Sequence, residues 1–341
     1  MLGICKRNRS HEAPVFVGKL YGAERLLFLW EKIEKSMDYK KLIKNRKTRI
    51  RIMQALSIVP DQTMVKIQYR IKTGHKLNLK NPKRFTEKLQ WYKLNYRDPL
   101  MAQCSDKYEV RKYVQECGLG NILNELYGVY DSPDEIDFDK LPESFVLKDT
   151  LGAGGNAVIL VQDKRQMDED AVRKQMWDWV NEPVHRKHPG REWVYEGRKH
   201  RIVAEKFIAS DENDGGLIDY KFFCFNGELE YIYVIADRKM GQNAGLGIYN
   251  VKTFEKIEAL RADERPLERM ISKPLMYEGM LTVAETLSKP FPETRVDLYC
   301  VDNKIYFGEM TFFDGSGYMR YEPDQFDFEM GKKFDIKEIR G

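Results

Sequence analysis

No apolar run in the chain approaches the roughly 18 residues that a membrane-spanning helix needs. The opening MLGICKRNRSHE has no signal-peptide core. The expected location is therefore cytoplasmic, or at the inner face of the membrane. Five cysteines, Cys5, Cys104, Cys117, Cys224 and Cys300, contain no C-x-x-C pair, which argues against a disulfide framework or a zinc ribbon. No internal repeat is present. Net charge is also slight, at +4, but it is unevenly spread: residues 1–85 carry 21 Lys and Arg against 6 Asp and Glu, so a surplus of +15 is offset by −11 over the remainder. Such a basic arm suits an anionic surface, whether the inner leaflet, an acidic polysaccharide or a lipid-linked glycan, or is simply a solvated face. No nucleic-acid module accompanies it, and nucleic acid is not an expected partner.

What the chain does have is a hairpin rich in chemistry, RVDLYCVDNKIYFGEMT, running from Arg295 to Thr311. Two apolar runs carry Asp297 and Glu309 at inward-facing positions, where an acid without a basic partner is costly unless a cation neutralises it. A three-residue turn at Val301, Asp302 and Asn303 would set Arg295 against Glu309 and Asp297 against Phe307, with Arg295, Asp297, Glu309 and Thr311 on one face. A two-residue turn would send the two acids to opposite faces. Two carboxylates plus phosphate oxygens suit Mg2+ better than Zn2+, since no His/Cys cluster is offered.

Upstream, Phe145–Lys148 reads as a strand, followed by a loop with Gly152, Gly154, Gly155 and Asn156 and a second strand from Ala157 to Val161. The loop fits G-x-G-x-x-[GA] formally, but a dinucleotide fingerprint must open a helix and this one opens a β-branched run. A glycine hairpin can instead fold its backbone N–H groups over a triphosphate, with Lys148 adding a point charge; an ordinary flexible turn is the plainer alternative. Further on, Glu205, Lys206, Phe207 and Ile208 suit a connector that meets a nucleobase. Asp219 and Lys221 share one face of another strand, placed for ribose or substrate hydroxyls and for a terminal phosphate respectively.

These elements occur in the order and approximate spacing of ATP-grasp enzymes. The phrases FTEKLQWYKLNYRDPL, SDKYEVRKYV, DYKFFCFNGELE and RVDLYCVDNKIYFGEMTF resemble the TupA-like group, associated with teichuronopeptide and capsular polysaccharide biosynthesis. The resemblance spans residues 62–320. It implies an α/β fold of ATP-grasp type, with two α/β lobes clasping ATP after a basic, mostly helical N-terminal region over 1–100. Residues 101–200 would form the first lobe and 201–341 the second. It assigns Lys107 and Lys148 to nucleotide phosphates, Gly152–Asn156 to the covering loop, and Glu205, Lys206 and Ile208 to the adenine connector. Asp297 and Glu309 fall at metal-ligand positions and Arg295 near the transferred phosphate. Thr311 stands where many relatives have Asn. The implied reaction is ATP- and Mg2+-dependent carboxylate–amine ligation through an acyl phosphate, with an acidic polysaccharide or lipid-linked glycan and an amine or amino acid as substrates. A sugar or glycolipid kinase, and a glycan-binding scaffold with a vestigial nucleotide site, are the alternatives.

The rest of the chain is read more coarsely. Residues 20–47 show helical spacing of apolar residues. Residues 85–95 and 106–117 read as amphipathic helices, the second capped by Ser105 and closed by Gly118, with Lys107 in its first turn. Residues 167–180 and 275–287 read as helices, 241–247 as a loop, 313–318 as a glycine-rich turn that the resemblance sets at the active-site rim beside the acceptor, and the tail from Asp324 as a short closing segment. Residues 181–200 form a polar, basic excursion with His185, His188 and His200, either a solvated loop or a surface for an acidic sugar beside Arg186, Lys187 and Arg191.

Overall fold

Alternating β-branched and aromatic runs, punctuated by Gly, Asn and Asp turns, build two predominantly antiparallel sheets between Leu77 and Gly341. The structure, a computed structural model, describes residues 56–152, 157–182, 184, 187–210, 216–237, 244–337 and 339. The helix expected over 20–47, most of the basic arm, the loop residues Gly154, Gly155 and Asn156, and His185 and Arg186 lie outside the described residues. Contacts divide the chain into Met1–Lys76 and Leu77–Gly341. In the first unit, helix α1 (Asp61–Thr73) buries Met64, Val65, Gln68 and Tyr69 along one stripe and closes at Gly74, whose φ of 79° lets its N–H reach the Arg70 carbonyl.

The second unit begins with α2 (Phe85–Asn95), α3 (Pro99–Cys104) and α4 (Val110–Glu116). The smaller sheet then follows from β1 (Leu126–Tyr130), β2 (Phe145–Asp149), β3 (Val158–Val161) and β4 (Ile202–Lys206), in spatial order β1-β4-β2-β3, with α5 (Glu169–Val180) between β3 and β4 in sequence. Its core joins Phe145, Leu147, Ile202 and Ala204 to Met176 and Trp179 of α5. The strand bearing Glu205 and Lys206 thus pairs with β1 and β2.

The larger sheet contains β5 (Asp219–Phe225), β6 (Glu228–Ala236), β7 (Gly245–Asn250), β9 (Arg265–Pro266), β10 (Glu293–Val301) and β11 (Lys304–Thr311), ordered β11-β10-β5-β6-β7-β9. A two-stranded ribbon pairs β8 (Leu260–Arg261) with β12 (Tyr321–Glu322). Strand β5 is buried along its whole length. On one face Phe222 meets Tyr277 of α6 (Tyr277–Ser288); on the other Phe223 and Phe225 pack edge-on against Phe85 of α2. The same face turns polar from Lys221 onward, so the apolar packing of α2 positions a charged patch at the sheet's far end.

Several expected boundaries shift. Ser105 caps nothing at a helix start: its hydroxyl bonds back to the Met101 carbonyl at the end of α3. Asp106 serves the next turn instead, accepting from Tyr108 N and Glu109 N at 2.8 and 2.9 Å, because a short Asp carboxylate folds back onto N–H groups two and three residues on. Lys107 therefore precedes α4 rather than lying in its first turn. Strand β7 already begins at Gly245, inside the expected loop. The tail is a helix, α7 (Gln325–Lys333), locked to α2 by the Asp327 carboxylate, which accepts from Thr86 N at 3.0 Å and Thr86 Oγ1 at 2.6 Å. Among the described residues no helix is long and apolar enough to cross a membrane, and Cys104, Cys117, Cys224 and Cys300 are free thiols.

Candidate functional site

Register in the β10–β11 hairpin departs from the three-residue turn. The loop is the two-residue Asp302-Asn303, with φ of 50° and 57°, a left-handed pair that Asp and Asn tolerate. Taken alone, that turn would put Asp297 and Glu309 on opposite faces. Gly308 restores them: Leu298 pairs with Phe307, Asp297 with Glu309, and Gly308 is the extra residue of a β-bulge. A Cβ at Gly308 would stand 2.9 Å from the Asp297 carbonyl, so the close approach requires glycine. Arg295 and Thr311 are the next cross-strand pair. The four residues share one face, as expected, by a different route.

Contrary to the expectation from the sequence, the acids are not short of basic partners. Arg295 grips Asp297 in a bidentate pair, Nε to Oδ1 at 2.7 Å and Nη2 to Oδ2 at 2.8 Å. Lys221, on β5 directly opposite, donates to the same carboxylate and lies 2.8 Å from Asp219. Burial pushes the Asp297 carboxyl up, to about 6, against the pull of Arg295 and Lys221. Burial opposes the charge on Lys221 too, but Asp219 and Asp297 outweigh it and raise its pKa. Arg295 also donates to Asp314, to Thr311 Oγ1 at 3.1 Å and to Glu309 at 3.5 Å.

Glu309 differs from its partner. Its side chain is 39 % exposed, and its cations, Lys107 at 3.6 Å and Arg295 at 3.5 Å, stand further off. Partial burial raises its pKa, but Lys107, Lys221, Arg295 and Lys148 together prevail and hold it to about 2. Asp297 and Glu309 thus form an all-oxygen pair in which one member is tightly engaged and the other has room for a further ligand. Among the described residues no three His, Cys, Asp or Glu side chains cluster to hold a metal. The donor set fits a hard divalent ion that takes its remaining ligands from phosphate and water.

Lys107 ties this face to the smaller sheet. Its backbone N–H donates to the Thr150 carbonyl at 2.9 Å and its Nζ to the Gly152 carbonyl at 2.5 Å. Lys148, on β2, is a 2.7 Å partner of Glu205 on the neighbouring β4, and Glu205 also accepts from Arg111 at 3.2 Å. Lys206 points to solvent, 3.6 Å from Glu125; its carbonyl accepts from Asn124 Nδ2 at 2.8 Å. Phe207 and Ile208 are half-buried just beyond the end of β4. Lys107, Gly152, Asp219, Lys221, Arg295, Asp297, Glu309 and Thr311 are therefore brought together. Lys148 and Glu205 lie beside them as a pair, and Lys206 stands apart.

Asp314 lies in the glycine-rich turn after the hairpin, and the sequence assigns it no role of its own. It is buried, holds Arg295 from the far side and meets Arg261 at 3.4 Å. Its only signal was an acid opening the glycine turn two residues after Phe312. That turn is pinned by Lys93 Nζ and Gln90 Nε2, both 2.9 Å from the Ser316 carbonyl.

No curated protein matches the chain. Among solved structures it is similar to a D-alanine–D-alanine ligase from Bacillus anthracis, with 17 % identity, 70 % of this chain and 69 % of that one covered, and a TM-score of 0.39. It is also similar to an L-amino acid ligase from Bacillus licheniformis, with 21 % identity, coverage of 68 % and 49 %, and a TM-score of 0.41. These likenesses are distant, and no role is taken from them. The TupA-like ATP-grasp family profile matches residues 87–335, from α2 through the hairpin to α7, and on that match the chain belongs to the TupA-like ATP-grasp family.

Proposed function

We propose that this chain is an ATP- and Mg2+-dependent carboxylate–amine ligase that works through an acyl phosphate and joins an amino acid or amine to an acidic cell-surface polysaccharide or its lipid-linked precursor. The observation that carries the reading is the single face on which Arg295, Lys221 and Lys107 surround two facing acids. Phosphoryl transfer needs positioning and charge neutralisation more than a covalent nucleophile, and this face offers both. The polysaccharide is drawn from the family's association alone.

In this reading Lys107 and Lys148 bind nucleotide phosphates under the Gly152–Asn156 loop, and Lys221 and Arg295 hold the phosphoryl group in flight. Asp219 receives a ribose or substrate hydroxyl. Glu205, Lys206, Phe207 and Ile208 face the base; since the Lys206 carbonyl already accepts one bond, its second lone pair and the two residues after it meet the purine edge. Asp297 and Glu309 are the groups that would hold Mg2+, with Thr311 reached through water, and the ion supplies neutralisation of phosphate charge. Asp314 keeps Arg295 aimed. Water must be excluded while the acyl phosphate exists, or it hydrolyses.

ATP with Mg2+ should raise the melting temperature, since a ligand at a hundredfold excess over its dissociation constant adds about 2.7 kcal/mol. Lys148→Ala and Glu309→Ala should each lower kcat by roughly 10²–10³-fold. An unshifted melt, or wild-type ATP turnover in either variant, contradicts the assignment.

A further inference from the structure

We infer that a small pocket walled by residues 188–200 and Leu151 receives the amine, with His200 taking the proton that the attacking nitrogen loses. The inference rests on the ligase reading above. His200 Nδ1 lies 2.8 and 2.9 Å from the two oxygens of Asp149, which is 4 % exposed and is itself fixed by the Leu151 N–H at 3.1 Å. Backbone bonds clasp the two segments: Thr150 N to the Arg201 carbonyl at 2.9 Å and Arg201 N to Thr150 Oγ1 at 3.3 Å. A carboxylate on Nδ1 fixes the tautomer, with the proton on that nitrogen and a lone pair on Nε2. The ring lines a pocket of about 150 Å³ together with Leu151, His188, Tyr195 and Arg198.

Two features place the pocket beside the chemistry. The dyad is one residue from the Thr150 carbonyl that holds Lys107, which in turn reaches Glu309. Tyr195, on the pocket wall, has its phenol driven far above its usual range by burial and by the charges of Glu192 and Glu309. The chemistry of the wall also selects a nitrogen over an anion. Arg198 is already committed to Glu109 and to the Ala102 carbonyl, both at 2.5 Å, and Glu182 adds a carboxylate to the lining. This narrows the acidic-sugar surface expected of residues 181–200: the pocket within that stretch suits the amine.

The step balances simply. The ammonium first passes one proton to His200 Nε2; the freed lone pair forms the C–N bond, the acyl C–O bond breaks, and phosphate leaves with its electrons and takes up the second N–H proton. An α-amino group is largely protonated at neutral pH, so it needs such a base; hydroxylamine is already neutral and does not.

The test offers ATP, Mg2+ and a mixture of uronic acids with either glycine or hydroxylamine to wild type, His200→Gln and Asp149→Asn, the Asn retaining an acceptor for Leu151 N. In both variants amide formation should fall by about 10²-fold or more, while hydroxamate formation and KM for ATP stay near wild type. Equal loss with both acceptors, or no loss with glycine, overturns the role of His200. Wild type that yields no hydroxamate refutes the ligase reading itself, and the dyad falls with it.

Discussion

Around Arg295 the acids are answered by cations, yet Glu293, two residues back on the same face of β10, is fully buried with neither carboxylate oxygen hydrogen-bonded. Its strand partner is Phe225, at the apolar end of the face. Burial, reinforced by Asp314 and opposed by Arg295, pushes its carboxyl well above the usual range, which favours the protonated acid in the folded state. A raised carboxyl pKa contributes stability below the unfolded value near 4 and loses it as pH climbs toward the folded one, by up to about 1.4 kcal/mol per pH unit. Glu293→Gln mimics the protonated acid. Urea melts at pH rising from 5 should show wild type losing ground to the variant, and a pH-independent difference contradicts the assignment. Period two made the row Arg295, Asp297, Glu309 and Thr311 legible in the sequence. Lys221 as the partner of Asp297 was not, because that contact joins strands 76 residues apart.

At the level of elements, the hairpin shows how a correct face can follow from an incorrect turn. Strand identity, apolar alternation and the helix over 85–95 were all readable from residue pattern. The bulge was not, since Gly308 looks like any strand glycine until the Asp297 carbonyl is seen against it. Gly308→Val tests the bulge directly. A Cβ there would stand 2.9 Å from the Asp297 carbonyl, so the ladder would close without the bulge, pair residue 308 with Asp297 and turn the Glu309 side chain to the opposite face; ATP turnover should be lost while far-UV circular dichroism remains that of a folded sheet. Retained turnover in the variant would show that alignment of the two acids is dispensable. Helix α4 makes a similar point: Ser105 and Asp106 are both good capping residues in sequence, and only the end of α3 at Cys104 decides between them. The closing helix α7 lacked a strong signal because its role is an ion-dipole latch, Asp327 on the first turn of α2, rather than a broad apolar stripe.

Over the whole molecule, Lys107 and Thr150 join the smaller sheet to the charged face of the larger one, so the groups that scattered motifs point to as nucleotide-binding meet at a common place. The order of motifs along the chain sufficed to identify this arrangement; which acids they would face, and the His200–Asp149 pair beside them, required three dimensions. The central claim is that a substrate carboxylate, rather than a hydroxyl, attacks ATP. It is tested most directly by supplying the acid with heavy oxygen in its carboxyl group and analysing the phosphate released during amide formation. The ligase account predicts one heavy oxygen carried into each phosphate, because the acyl phosphate breaks at its carbonyl carbon. Unlabelled phosphate, or a stable phosphorylated sugar in its place, would contradict it.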